Sequence, residues 1–133
     1  MSALPRPIGA ITLFVADLAR ARSFYQDVFG GPPIFQDENS AVFDFAGTMI
    51  NLLDSSEAID LVVPETVAGR SAGSRFMLSI WVDDVDACCA ELTGLGVDLL
   101  NGPVDRAWGK RTASFADPDG NIWELAQDIP PAG

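Results

Sequence analysis

One pattern occurs twice in this chain. Val15-Ala16-Asp17-Leu18 returns as Val82-Asp83-Asp84-Val85, 67 residues further on and close to half of the 133-residue length. In each copy an alternating apolar stretch runs into an Asp placed to cap a helix, and a helical stripe follows. In the first copy Ile11, Leu13 and Val15 alternate with Ala10, Thr12 and Phe14. Leu18, Ala21, Phe24, Tyr25 and Val28 then share one helical face, and Gly30-Gly31-Pro32-Pro33 ends it. In the second copy residues 76–82 read as a strand, Val85, Cys88, Cys89, Leu92 and Leu95 form the stripe, and Gly96 closes it. A half of this size buries too little apolar surface to fold alone, so the repeat predicts two paired half-modules sharing a core.

Further strands complete each half. Residues 40–45 and 48–53 flank Ala46-Gly47, a tight hairpin. Residues 54–74 are polar and carry Pro64, Gly69 and Gly73, so they read as a linker or loop, within which 59–63 is a possible fourth strand. In the second half 97–100 is a short strand. Residues 111–116 and 121–126 are two more, joined by Asp117-Pro118-Asp119-Gly120. That tetrapeptide has the residues a turn requires, with Asp first, Pro fixing φ next, and Gly last. The reading is strand-helix-strand-strand-strand, twice. It is an α+β chain with module one at about 8–63, a linker at about 64–74, and module two at about 75–128, forming one domain over 1–133.

Composition narrows the function. There is no histidine, so Ser-His-Asp and Cys-His nucleophile systems are excluded and the commonest transition-metal ligand is missing. The net charge is −11, without a basic cluster large enough to offset it, which disfavours nucleic acid and anionic membrane surfaces as partners. No apolar run approaches the ~20 residues of a membrane span, and residues 1–7 lack a signal-peptide core. Cys88 and Cys89 are adjacent, a spacing that strains a disulfide. Two reduced thiols point to a cytoplasmic protein. A small organic molecule, a cation or a second copy of the chain remains as partner.

With the repeat in place, two segments carry a family resemblance. ITLFVADLARARSFYQDVFG, residues 11–30, is similar to the opening module of the vicinal oxygen chelate superfamily, with Phe24-Tyr25 after the capping Asp17 especially typical. RTASFADPDGNIWELAQ, residues 111–127, resembles that family's closing hairpin. The superfamily holds glyoxalase I, bleomycin-resistance proteins and extradiol dioxygenases, and the likeness spans about residues 8–128. It implies paired βαβββ modules, each curling into a half-barrel that cups a ligand, and a homodimer. Metal-dependent members place four ligands on inward strand positions, usually His, Glu or Gln. Carried over by spacing from the capping Asp and by the Asn-Ile-Trp-Glu motif, those positions are Ala10, Asn51, Met77 and Glu124. Alanine has no donor atom and a thioether is too soft for Mg, Mn or Zn. No metal cofactor is therefore expected, and one that did bind would do so through Glu124.

Strand alternation then sorts the remaining side chains. Thr12 and Phe14 share a face with Ala10, Ser79 and Trp81 with Met77, Met49 and Leu53 with Asn51, and Ile122 and Ala126 with Glu124. The opposite set, Ile11, Leu13, Val15, Leu78, Ile80, Val82 and Leu125, is aliphatic and suits the underside of helices. A wall of Phe14, Met49, Met77, Trp81 and Ile122 with a few polar points has the composition of a small-molecule pocket, although the same residues would also serve to fill a barrel. Glu124, in apolar surroundings, is the candidate catalytic base or ligand anchor, with a partly solvated carboxylate paired to Arg111 or Arg75 as the plainer alternative. Arg106, Trp108, Lys110 and Arg111 form a local basic cluster at the expected mouth of the cleft, suited to clamping an anion or covering an aromatic ring, or simply a solvated loop. The ligand-binding set is Phe14, Met49, Asn51, Met77, Trp81, Trp108, Arg111, Ile122 and Glu124. The function expected is metal-independent binding or sequestration of a hydrophobic or aromatic compound, as in bleomycin and other antibiotic resistance. The alternative is a glyoxalase-like lyase or isomerase, or a dioxygenase-type enzyme, using Glu124 as base or metal ligand.

Overall fold

The period-2 stretches become strands and the capped stripes become helices in the computed structural model, which describes residues 3–130. Two units, Met1–Gly69 and Arg70–Gly133, are each built around their own sheet. The first contains β1 (Ala10–Val15), α1 (Leu18–Phe29), β2 (Phe35–Gln36), β3 (Ser40–Phe45), β4 (Thr48–Asp54) and α2 (Ser55–Val62). The second contains a 3-10 turn at Arg70–Ala72, then β5 (Met77–Trp81), α3 (Val85–Gly94), β6 (Leu99–Asp105), β7 (Lys110–Ala116) and β8 (Ile122–Asp128). The strand orders correspond: β1-β4-β3-β2 and β5-β8-β7-β6. In each sheet the first strand lies parallel to the last, and the others are antiparallel. The fold is α+β with two mixed four-stranded sheets, and the βαβββ repeat is present in both units.

The caps act as the sequence implies. Asp17 accepts a hydrogen bond from the Arg20 backbone N–H at 3.1 Å, and Asp84 accepts one from Ala87 at the same distance. Each satisfies one of the donors that a helix start leaves open. In the first unit Leu18, Ala21 and Tyr25 of α1 bury against Leu13, Val15, Ala41, Phe43, Ile50 and Leu52 of the sheet. Each large apolar side chain fully removed from water contributes about 1.5–3 kcal/mol. Tyr25 also stacks on Phe29 at 5.7 Å between ring centres. In the second unit Val85, Cys89 and Leu92 of α3 and Ala113, Phe115, Trp123 and Leu125 of the sheet are buried. Cys88, one position along, is only half-buried.

The turns follow their residues. Ala46 (φ 53°) and Gly47 (φ 104°) both adopt the left-handed region that a two-residue hairpin demands. The Asp44 carboxylate accepts the Gly47 N–H at 2.8 Å. Asp117 is 2% exposed and organises its own turn by accepting from the Asp119 and Asn121 backbone N–H groups and from the Asn121 side-chain amide, each at 2.9 Å.

Two expectations change. Residues 59–63 are not a strand but lie in and just after α2. Asp54 caps this helix through the Ser56 N–H at 3.0 Å, and Ser55 Oγ donates to the Val15 carbonyl at 2.8 Å. These local bonds outweigh the apolar alternation of Ile59, Leu61 and Val63. The third antiparallel strand of the first sheet is instead the two-residue β2, pairing Phe35 with Val42. The second correction concerns residues 97–100, where a short strand was expected. The strand observed, β6, starts later and runs longer, and its pairing with β7 is broken by shifts between Leu99 and Asn101 and between Asn101 and Val104. Gly102 and Pro103 sit in the second break, where regular pairing is least compatible with those residues.

Candidate functional site

Register fixes which side chains share a face, because residues directly opposite in a sheet point the same way. In the first sheet Ala10 lies opposite Met49, Thr12 opposite Asn51 and Phe14 opposite Leu53. Asn51 is in turn opposite Val42 on β3. This face is the one turned from the helix-side core, and its side chains are exposed or half-buried. Asn51 Nδ2 approaches Thr12 Oγ1 at 3.4 Å, while its Oδ1 is buried without a hydrogen-bond partner.

The second sheet repeats this layout with different chemistry. Met77 lies opposite Ile122, Ser79 opposite Glu124 and Trp81 opposite Ala126. Ser79 Oγ donates to Glu124 Oε1 at 2.9 Å. A hydroxyl on the first strand therefore meets a polar side chain on the last strand in both units: in the first it accepts from the Asn51 amide, and in the second it donates to the Glu124 carboxylate. Antiparallel pairing adds Ser114 opposite Glu124 and Thr112 opposite Ala126, and then Asn101 opposite Ser114 and Val104 opposite Thr112. Trp81 stands 72% exposed on this face. The Lys110 ammonium lies 5.0 Å from the centre of its ring and is ion-paired to Asp128.

Of the residues singled out from sequence, Phe14, Met49 and Asn51 come together on the first sheet, and Met77, Trp81, Ile122 and Glu124 on the second. Trp108 is at the tip of the β6–β7 turn, 69% exposed, with the Arg106 guanidinium 6.0 Å from its ring centre. Arg111 does not join them. It pairs with Gln127, one residue out of phase with Glu124, and so lies on the helix side. There Asp86 of α3 takes its Nε and Nη2 at 2.9 and 3.0 Å, and Asp105 takes Nη1 at 3.0 Å. These two carboxylates hold the guanidinium pKa above its usual range, and the Arg111 charge holds the Asp86 carboxyl below its own. Glu124 is thus attended by Ser79 and not by Arg111.

Sequence reasoning passed over Thr112, Ser114 and Asn101 as members of the Glu124 face. The signal was present in the Asp117–Gly120 turn, since counting outward from it sets Ser114 against Glu124. A separate hollow of about 560 Å³ in the first unit runs between Ser55, Ser56 and Ile59 of α2 and residues 65–69, away from either sheet face.

At the positions that the family resemblance implies for metal ligands, the first unit offers the methyl group of Ala10 and the amide of Asn51, and the second offers the thioether of Met77 and the carboxylate of Glu124. Among the described residues no three His, Cys, Asp or Glu side chains converge. This donor set does not fit a divalent ion that requires three or four hard or borderline ligands.

Comparison with known proteins accords with this architecture. The model of the Glyoxalase/Bleomycin resistance protein/Dioxygenase superfamily matches residues 8–125. An uncharacterized Bacillus subtilis protein, YraH, is 36% identical over 120 residues, covering 86% of this chain and 93% of its own. The metallothiol transferase FosB of Bacillus licheniformis is 28% identical over 118 residues, covering 89% and 73% respectively. Among solved structures, a glyoxalase-related enzyme from Fulvimarina pelagi superposes with a TM-score of 0.82 at 26% identity, over 97% of this chain and 94% of that one.

Proposed function

The chain belongs to the Glyoxalase/Bleomycin resistance protein/Dioxygenase superfamily, and we propose that it binds a small, partly aromatic organic molecule on its open sheet faces without using a metal ion. The observation that carries this reading is the contrast between the two faces of each sheet. One side is a closed apolar core of aliphatic and aromatic side chains. The other combines exposed apolar surface, Met77 and Trp81 above all, with a few fixed polar atoms: Thr12 and Asn51 in the first unit, Ser79 and Glu124 in the second. Apolar area with sparse, oriented hydrogen-bonding groups is the composition by which small molecules are recognised. Sequestration of a toxic compound, in a resistance role, fits a binding face whose ligating positions are so poor in donors. The family whose model the chain matches is described in part by its bleomycin resistance proteins, which supports a resistance role of this general kind. The two free cysteines fit a reducing compartment, and a second copy of the chain is the partner this reading expects.

A glyoxalase-type reaction is the second reading, favoured by one observation: Glu124 is a half-buried carboxylate held in place by Ser79 and able to take a proton at its other oxygen. A ligand panel followed by tryptophan fluorescence, with elemental analysis of the purified protein, tests both. Saturable binding by metal-free protein is the expected result. Stoichiometric Zn, Mn, Fe or Ni retained through chelation would overturn the metal-free proposal. Turnover of a bound compound that Glu124→Gln abolishes while binding persists would establish the enzyme reading in its place.

A further inference from the structure

Of the cations in the basic cluster, Arg111 and Lys110 are each neutralised by carboxylates. Arg106 is not. Its backbone closes the β6–β7 turn, donating to the Lys110 carbonyl at 2.7 Å and accepting from the Gly109 N–H at 3.1 Å. Its side chain folds back over the sheet, where Nε donates to Thr112 Oγ1 and Nη2 to Asn101 Oδ1, each at 2.9 Å. Both partners are neutral, and among the described residues no Asp or Glu forms an ion pair with it. In a chain of 19 acidic and 8 basic residues, a guanidinium fixed by two neutral acceptors keeps its full charge. Thr112 and Asn101 share the face of Ser114 and Glu124, as the register requires. The charge is therefore delivered to the open face of the second sheet.

We infer that this face takes a ligand bearing an oxyanion, of the carboxylate or phosphoryl class, which binds the N–H groups of Arg106 that Thr112 and Asn101 leave unused. A guanidinium carries five N–H donors in one plane, and two are committed here, so a fork remains for a planar or tetrahedral anion. The two neutral bonds fix the plane in advance and reduce the ordering cost of binding. Trp81 and Met77 supply apolar area on the same face for the rest of the molecule. The overall acidity of the chain points to a cationic ligand, and the local geometry reverses that preference at this one place.

The inference rests on the small-molecule reading above, and the experiment separates the two. Full-length protein is titrated with 2-naphthoate and with neutral 2-naphthylmethanol, which share a ring system, and tryptophan quenching is followed. Charge-assisted hydrogen bonding predicts that naphthoate binds roughly ten- to a hundredfold more tightly. Arg106→Gln removes that preference and leaves naphthylmethanol binding unchanged. Arg106→Lys retains part of the preference and serves as the test should the Gln variant fail to fold. Equal affinity for the two compounds in the wild type, or a preference that survives in Arg106→Gln, overturns the oxyanion site while leaving the small-molecule reading in place. Failure of both compounds to bind overturns both.

Discussion

Replacing Gly102 with alanine tests how the Glu124 face is held in shape. Gly102 lies in the irregular part of β6 with φ near +85°, and a Cβ built there collides with the Thr112 carbonyl oxygen and comes within 2.8 Å of the Ala113 Cα. Both are backbone atoms of β7, so neither can swing aside. Two costs combine. A left-handed backbone costs a non-glycine residue about 1–2 kcal/mol. Forcing a methyl group into closed packing adds about 1–3 kcal/mol. Gly109 provides the control, because its φ is +87° but a Cβ there meets nothing within 4 Å. Gly109→Ala therefore carries the backbone cost alone, and the difference between the variants isolates the collision. With a urea m-value of about 1–3 kcal/mol per M, Gly102→Ala should unfold at a midpoint lower than Gly109→Ala by around 1 M. All three tryptophans, Trp81, Trp108 and Trp123, lie in the second unit, so their fluorescence follows the unit that carries the substitution. Arg106 also hangs from Thr112 and Asn101 on either side of the collision. Any naphthoate preference should weaken in Gly102→Ala and persist in Gly109→Ala. Equal midpoints for the two variants would refute the claim that β6 and β7 are in contact at Gly102.

Acid sensitivity follows from carboxylates that folding holds below their usual range, Asp54 through the Ser56 backbone N–H and hydroxyl and Asp86 through Arg111. A depressed folded pKa stabilises above the unfolded value of about 4 and loses that stabilisation as pH falls through the folded value. Urea midpoints from pH 6 to pH 2.5 should fall less steeply in Asp54→Asn and Asp86→Asn than in the wild type, and parallel curves would count against these assignments. Both thiols titrate above their ordinary value, Cys88 through burial and the Glu91 and Asp84 charges, Cys89 through burial and Asp86. Ellman's reagent at pH 8 should accordingly label folded protein more slowly than glutathione, with the difference vanishing in urea.

Most of the fold is legible in the residues because local and long-range signals agree. Asp17 and Asp84 cap, and Ala46-Gly47 and Asp117–Gly120 turn where their chemistry dictates; the stripes after the caps largely bury, except that Leu95 falls just past the end of α3 and is 51% exposed. Legibility fails where two signals conflict. Ile59, Leu61 and Val63 alternate like a strand, but Asp54 and the two serines after it spend their side chains on starting a helix, and this bond pattern carries no hydrophobic period. The two residues of β2 are too few to show any period. For the site, parity alone groups Ser79 with Met77 and Trp81, and the Asn-Ile-Trp-Glu motif finds Glu124. Arg111 escapes both, because a charged residue reads as outward whichever face it is on. Its pairing with Asp86 depends on where α3 lies over β7, and that placement is tertiary.

The interruptions in β6 have a consequence for the unit as a whole. β6 is the outer strand of its sheet, and a straight outer strand offers unpaired amides and carbonyls that any similar strand can extend. Here Pro103 withholds one amide, the register slips twice, and the Arg106 side chain crosses toward Asn101. A copy of the same segment has no regular ladder to add to. The irregular strand that holds the guanidinium over the sheet also guards that margin against growth into fibrils.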